Sequence, residues 1–144
     1  MLYEYTLKTD KQHFYNITSQ VREAVAKSGV TSGICVIFCP HTTAGITINE
    51  NADPDVVTDM IFALDKTFPD RAEFRHFEGN TTAHLKASCV GSSATVIIES
   101  GKLVLGTWQG IYFCEFDPGC MGEQFGDSRT TSPPRSRKFF VKVI

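Results

Sequence analysis

The chain has 144 residues, 42% of them hydrophobic, with 14 Lys plus Arg against 16 Asp plus Glu, the size and balance of one soluble globular domain. A net charge of -2 and a pI near 6.1 exclude a surface built chiefly to hold nucleic acid or anionic lipid. No window approaches the roughly 18 consecutive apolar residues of a membrane span.

The opening MLYEYTLKTDKQHFY carries neither a cationic n-region nor an apolar h-region, so a cytoplasmic setting is expected. Five cysteines (Cys35, Cys39, Cys89, Cys114, Cys120) without a CxxC pair exclude a disulfide scaffold and a zinc finger, and are read as free thiols.

Met1, Tyr3, Tyr5 and Leu7 alternate with polar residues, the period of a half-buried strand. Ile17, Val21, Ala24 and Val25 then fall on one helical face, with Asn16 or Thr18 to cap and Gly29 to stop, which predicts a helix over 18–28. The apolar, β-branched run Gly33 to Cys39 reads as a strand covered on both faces and ended by Pro40. A short strand over 46–48 follows.

Asp53 and Pro54 open a second helix, carried by Val57, Met60, Ile61 and Leu64 to about Lys66. Asn80 is placed to cap a third over 81–89, with Gly91 beyond its end and a strand as the weaker alternative. The rest is β: 94–99, 102–105, 108–116 and 138–144. Residues 118–133, rich in Gly, Pro, Ser and Thr and without apolar period, read as a long inserted loop, mobile and dispensable for folding. Together these make a single α+β domain over residues 1–144, an antiparallel sandwich with helices on one side.

Three of the four histidines, His41, His76 and His84, fall at strand ends, loops or helix starts, from which side chains converge without burying unpaired polar groups. Imidazole is the commonest ligand for zinc-like ions and leaves an open position for water or substrate; the alternative for each is a surface hydrogen-bonder. Glu50, within Asn49-Glu50-Asn51-Ala52-Asp53, suits proton transfer or a hard cation, whereas its neighbours also suit caps and turns. On the 108–116 strand, Trp108, Gly110, Tyr112, Cys114 and Phe116 form the expected core face. Gln109, Ile111, Phe113 and Glu115 form the other, expected at an oligomer interface or in a pocket. Arg135, Arg137 and Lys138 form either a solvated edge or an anion site.

The stretches HTTAGITINEN (41–51), HFEGNTTAHLKAS (76–88), GKLVLGTWQGIYFCEFD (101–117) and PRSR (134–137) resemble the YjbQ family, an uncharacterised protein family often labelled secondary thiamine-phosphate synthase. The resemblance covers nearly the whole chain. It implies a β-sandwich flanked by helices, a homotrimer, and a site drawn from His41, Thr42, Asn49, Glu50, Asn51, Asp53, His76, Glu78, Asn80, His84, Lys86, Trp108, Gln109 and Glu115. The family's Phe-Asp-Gly-Pro-Arg run is split here into Phe116-Asp117 and Pro134-Arg135 by the insertion.

The implied reaction joins a pyrimidine-methyl diphosphate to a thiazole phosphate with loss of diphosphate, using a divalent metal, zinc or magnesium. His41, His76, His84 and Glu78 would hold the metal, with Glu50, His41 and His84 as the catalytic groups. Lys86, Arg135 and Arg137 would bind phosphate, Trp108 would stack on a ring, and Asn49, Asn80 and Gln109 would bind substrate. A metal-dependent hydrolase with Glu50 or Glu78 as base, and a non-catalytic trimer binding a small ligand, are the competing classes.

Overall fold

The computed structural model describes residues 1–118 and 134–144. Helix α1 spans Thr18–Ser28, as its stripe and punctuation predict: Gly29 follows it in the left-handed conformation, at φ +70°. Asn16 Oδ1 accepts from the Thr18 N–H at 3.0 Å and the Thr18 hydroxyl at 2.7 Å. Helix α2 covers Pro54–Thr67, with the Asp53 carboxylate accepting from the Asp55 N–H. Helix α3 covers Thr81–Val90. Its N-cap Asn80 makes no side-chain capping bond; its amide nitrogen donates to Asp117 Oδ2 at 2.9 Å.

Eight strands form two antiparallel sheets. They are β1 Leu2–Thr9, β2 His13–Asn16, β3 Ser32–Phe38, β4 Ala44–Glu50, β5 Ser93–Glu99, β6 Lys102–Leu103, β7 Gln109–Glu115 and β8 Arg135–Val143. Sheet one has the order β1-β8-β3-β5-β6 and sheet two the order β2-β7-β4. Cys35, Ile37, Val96, Ile98, Phe139 and Val141 from sheet one meet Ile46, Ile111 and Phe113 from sheet two, together with Val21, Ala24 and Val25 of α1. The other face of sheet two, through Phe14, Tyr112, Cys114 and Phe116, packs on Val57 of α2 and on Ala83 and Ala87 of α3. The domain is therefore single and α+β, with sheet two as a middle layer.

That layer order corrects two expectations. Ile111 and Phe113 are completely buried within the chain: β7 is the central strand of a sheet covered on both sides, so neither residue is available as an oligomer interface. Conversely, β3 is covered on one face only. Cys35 and Ile37 point inward, while Ile34, paired with Ile97 of β5, and Phe38 are exposed, because among the described residues no layer lies outside sheet one. The strand β2, too short for a legible alternation, adds an edge beside β7. The thiols of Cys35, Cys39, Cys89 and Cys114 are free. Cys120 and the 118–133 insertion, apart from Pro118, lie outside the described residues.

Candidate functional site

β3 ends at Phe38, and Pro40 turns the chain away before His41. At that point β8 has lost its β3 partner, the last pair being Phe38 with Phe140. The His41 ring fills the vacancy, its Nε2 accepting from the Lys138 backbone N–H at 3.0 Å, with its edge toward Phe113 at 6.3 Å between centroids. Burial first and the Arg137 guanidinium second hold the imidazole below its ordinary pKa.

His84 stands one turn into α3, its N–H directed at the Asn80 carbonyl. The turn before the helix closes with the Gly79 N–H on the His76 carbonyl at 3.1 Å; Gly79 has φ +73°, a conformation that suits glycine. This folds His76 back onto the helix, with the His76 and His84 rings edge to face at 5.4 Å. His41 and His84 line a common cleft of about 460 Å³, with Thr42, Ser88 and Ser92 contributing hydroxyls.

Beneath the cleft lies a buried ion pair. Arg137 Nε and Nη2 donate to the two oxygens of Glu115 at 2.7 and 2.6 Å. Thr9 Oγ1 donates to the same carboxylate at 2.6 Å, and Arg137 Nη2 also donates to Thr43 Oγ1 at 2.8 Å. Asp117 extends the network: its N–H donates to Glu115, its carbonyl accepts from Arg135 at 3.0 Å, and its carboxylate accepts from Asn80 at the start of α3.

The expected site residues therefore divide. His41, His76 and His84 come together, and Asn80 and Arg135 join them through Asp117. Arg137 is 2% exposed and committed to Glu115, so it is structural and cannot meet a ligand's phosphate. Lys86 is likewise buried, on the core side of α3. Its ammonium donates to Asp65 and to Gln12 Oε1, which removes it from phosphate binding.

The remaining group lies elsewhere. Glu50 pairs with Gln109 at one end of the β4–β7 ladder, whereas Ala44 pairs with Glu115 at the other. Six residues of strand separate them, about 20 Å at roughly 3.3 Å each. Asn49, Glu50, Trp108 and Gln109 thus sit at the far end of sheet two from the histidines. There, Asn49 Oδ1 accepts from the Glu50 N–H and Gln109 Oε1 from the Gly106 N–H, while Trp108 is 61% exposed. Asp53 serves as the α2 cap, and Asn51 lines a separate cleft with His13, Tyr15 and Thr58.

Among the described residues no three His, Cys, Asp or Glu side chains form a metal-binding cluster, so the set His41, His76, His84 and Glu78 is not assembled as four ligands. Sequence reasoning passed over Ser88, Ser92, Thr43 and Asp117. Only Asp117 carried a signal, as part of the split Phe-Asp and Pro-Arg run.

The family model described as "UPF0047 protein YjbQ-like" matches residues 3–144. The UPF0047 protein YugU of Bacillus subtilis is 56% identical over 146 residues, covering all of this chain and 99% of that protein. A UPF0047 protein of Methanocaldococcus jannaschii is 48% identical, covering all of this chain and 94% of that one. A crystal structure of a YjbQ/UPF0047-family protein from Clostridium acetobutylicum superposes with a TM-score of 0.85 at 55% identity, covering 99% of each chain. The crystal structure of a "YbjQ-like protein of unknown function" from Sulfolobus solfataricus gives 0.84 at 29% identity, covering 99% of this chain and 95% of that one. The chain belongs to the UPF0047 YjbQ-like family.

Proposed function

We propose that, as a member of this family, the chain is a cytoplasmic metal-dependent transferase of the thiamine-phosphate-synthase type, using the His41–His84 cleft to hold a phosphorylated small molecule. The observation that carries this reading is His84, edge to face with His76 and lining with His41 a cleft bordered by Thr42, Ser88 and Ser92. The two rings lie 5.4 Å apart, edge to face, and His76 and His84 are the residues that would hold a zinc-like ion through imidazole nitrogen. Nitrogen donors favour zinc or its neighbours over magnesium, which prefers oxygen.

When bound, the ion would supply positive charge to a departing diphosphate. The chain's own residues would orient it: Thr42, Ser88 and Ser92 as hydroxyl donors, and Arg135 at the start of β8, paired with Asp117 and with its side chain 39% exposed, as the cation. Glu50 has no place in this cleft within one chain, which weighs against a hydrolase that uses it as the base.

A homotrimer would bury the outer face of sheet one, where Ile34 and its cross-strand partner Ile97 are exposed. A cytoplasmic setting agrees with free thiols and with the lack, among the described residues, of a helix long and apolar enough to cross a membrane. The test is incubation with pyrimidine-methyl diphosphate and thiazole phosphate, with zinc or magnesium, scored for thiamine phosphate by chromatography. Formation lost in His84→Ala and His76→Ala is expected. Release of inorganic phosphate without condensation would favour the hydrolase, and no turnover with either metal would leave a ligand-binding protein.

A further inference from the structure

His41 has two ring nitrogens, and the fold commits one of them. The Lys138 N–H faces the gap beyond the end of β3, and His41 Nε2 accepts from it at 3.0 Å. A backbone amide only donates, so Nε2 must present its lone pair; in a neutral ring the proton then resides on Nδ1. The other tautomer and the imidazolium would each set N–H against N–H.

The neighbouring elements reinforce this state. Phe113 of β7, completely buried, supports the ring from the side. On β8, Arg137 and Arg135 oppose a positive charge on it; Glu115 of β7 favours one, but that carboxylate is paired with Arg137. His41 nevertheless lines the cleft, with Nδ1 as the polar atom left to serve a ligand.

We propose that His41 is a tautomer-locked hydrogen-bond donor, offering Nδ1–H to an acceptor oxygen of a phosphorylated ligand, and that it is not a metal ligand. The ligand class rests on the reading of the cleft given above. A metal on Nε2 would displace the strand amide, and a metal on Nδ1 would require the tautomer that the amide opposes. A neutral donor suits a site where negative charge gathers on a leaving oxygen, because it stabilises that charge without surrendering its proton. Sequence spacing alone makes three histidines look alike, whereas this geometry separates two candidate ligands from one donor.

The experiment is heteronuclear NMR of the labelled full chain, with inorganic pyrophosphate and zinc as probes. In the free protein at pH 7.5, His41 is expected as the Nδ1–H tautomer, and pyrophosphate should shift its Nδ1 resonance. Lys138→Pro removes the amide hydrogen without removing a rung of the β1–β8 ladder, since that N–H points to His41, and should release the tautomer; Lys138→Ala keeps the amide and should retain it. His41→Ala should weaken pyrophosphate binding about tenfold, the scale of a hydrogen bond to a charged group, with zinc affinity unchanged within about twofold on that same scale. An Nε2–H ring in the free protein, or a tenfold loss of zinc affinity in His41→Ala, overturns the proposal while leaving the proposed function standing. A locked Nδ1–H ring in a protein that binds neither probe overturns the proposed function and the ligand half of this proposal together.

Discussion

Arg137 and Glu115 join the two sheets through a two-pronged ion pair, at 2.7 and 2.6 Å, with both side chains enclosed. Thr9, Thr43 and the Asp117 backbone take up further hydrogen-bonding capacity, so the pair is buried without orphaned atoms. Removing one partner strands a charge in the core. Arg137→Ala or Glu115→Ala should therefore cost about 3–5 kcal/mol in urea denaturation, and the double replacement Arg137→Met with Glu115→Leu should recover much of that loss. A single-variant cost below about 1 kcal/mol, the scale of an exposed pair, would contradict the assignment.

Lys86 should behave as a structural residue. Lys86→Ala is expected to lower stability by about 1–3 kcal/mol, through lost hydrogen bonds to Asp65 and Gln12 and lost packing of its buried stem. Lys86→Met, which keeps the stem, should cost less. Neither should alter pyrophosphate affinity once the protein is folded. A selective loss of anion binding in Lys86→Met, at unchanged melting temperature, would return the residue to the site.

Acid should weaken the fold in two windows. His13 is held below its ordinary pKa by burial first and by the Lys11 charge second, and His41 is lowered by burial and Arg137. For such groups the unfolded chain takes up protons first, so their contribution is full above about pH 6.5 and is lost as pH falls toward their folded values. Burial alone would raise Asp65, but hydrogen bonds from Lys86 and Gln12 and the Lys86 charge bring it below the ordinary carboxylate range. Its contribution is present above about pH 3.9 and fades below. Melting temperature measured from pH 7.5 to 3 should show both declines, and His13→Asn should flatten the first. A flat profile between pH 7.5 and 5.5 would refute the histidine part.

Gly45→Ala should open the cleft. A Cβ there would lie 2.6 Å from the Gly91 carbonyl oxygen, which accepts from the Ile46 N–H at 3.0 Å. The clash is with backbone, so β4 and the end of α3 must separate. We expect a loss of about 1–3 kcal/mol and weaker zinc binding by calorimetry, since α3 carries His84. Unchanged melting and zinc affinity would show that the contact yields easily.

If sheet one's outer face is an interface, Ile34→Lys with Ile97→Lys should lower the mass found by light scattering without unfolding the chain. Ile111→Lys should instead unfold it. A mass unaffected by the pair would move the interface elsewhere.

Local signals were read well. The ends of α1 followed from its apolar stripe and Gly29, and the start of α2 from Asp53-Pro54, because caps and periods act within one turn. Layer order was not legible: an apolar strand looks the same whether both faces are covered, as in β7, or one, as in β3. The histidine neighbourhoods marked the cleft, since polar residues at strand ends and helix starts have few core uses. Basic residues misled. Lys86 and Arg137 find their carboxylates 21 and 22 residues away in the chain, and no local pattern distinguishes such a cation from one held ready for phosphate.

The place of β8 also bears on how the molecule is made. This strand lies between β1 and β3, yet it leaves the ribosome after every other element. Until it emerges, β1 has no ladder partner within sheet one and Glu115 has no guanidinium. Pairings that join sequence-distant segments form slowly and leave edges open to other nascent chains. The finished sheet brings the Met1 carbonyl to the Val143 N–H at 2.9 Å, so a short linker there and new termini at the Ser100–Gly101 turn would deliver β8 ahead of β1 and β3 during synthesis. Such a permutant would keep the strand order of both sheets while changing the order in which its halves meet.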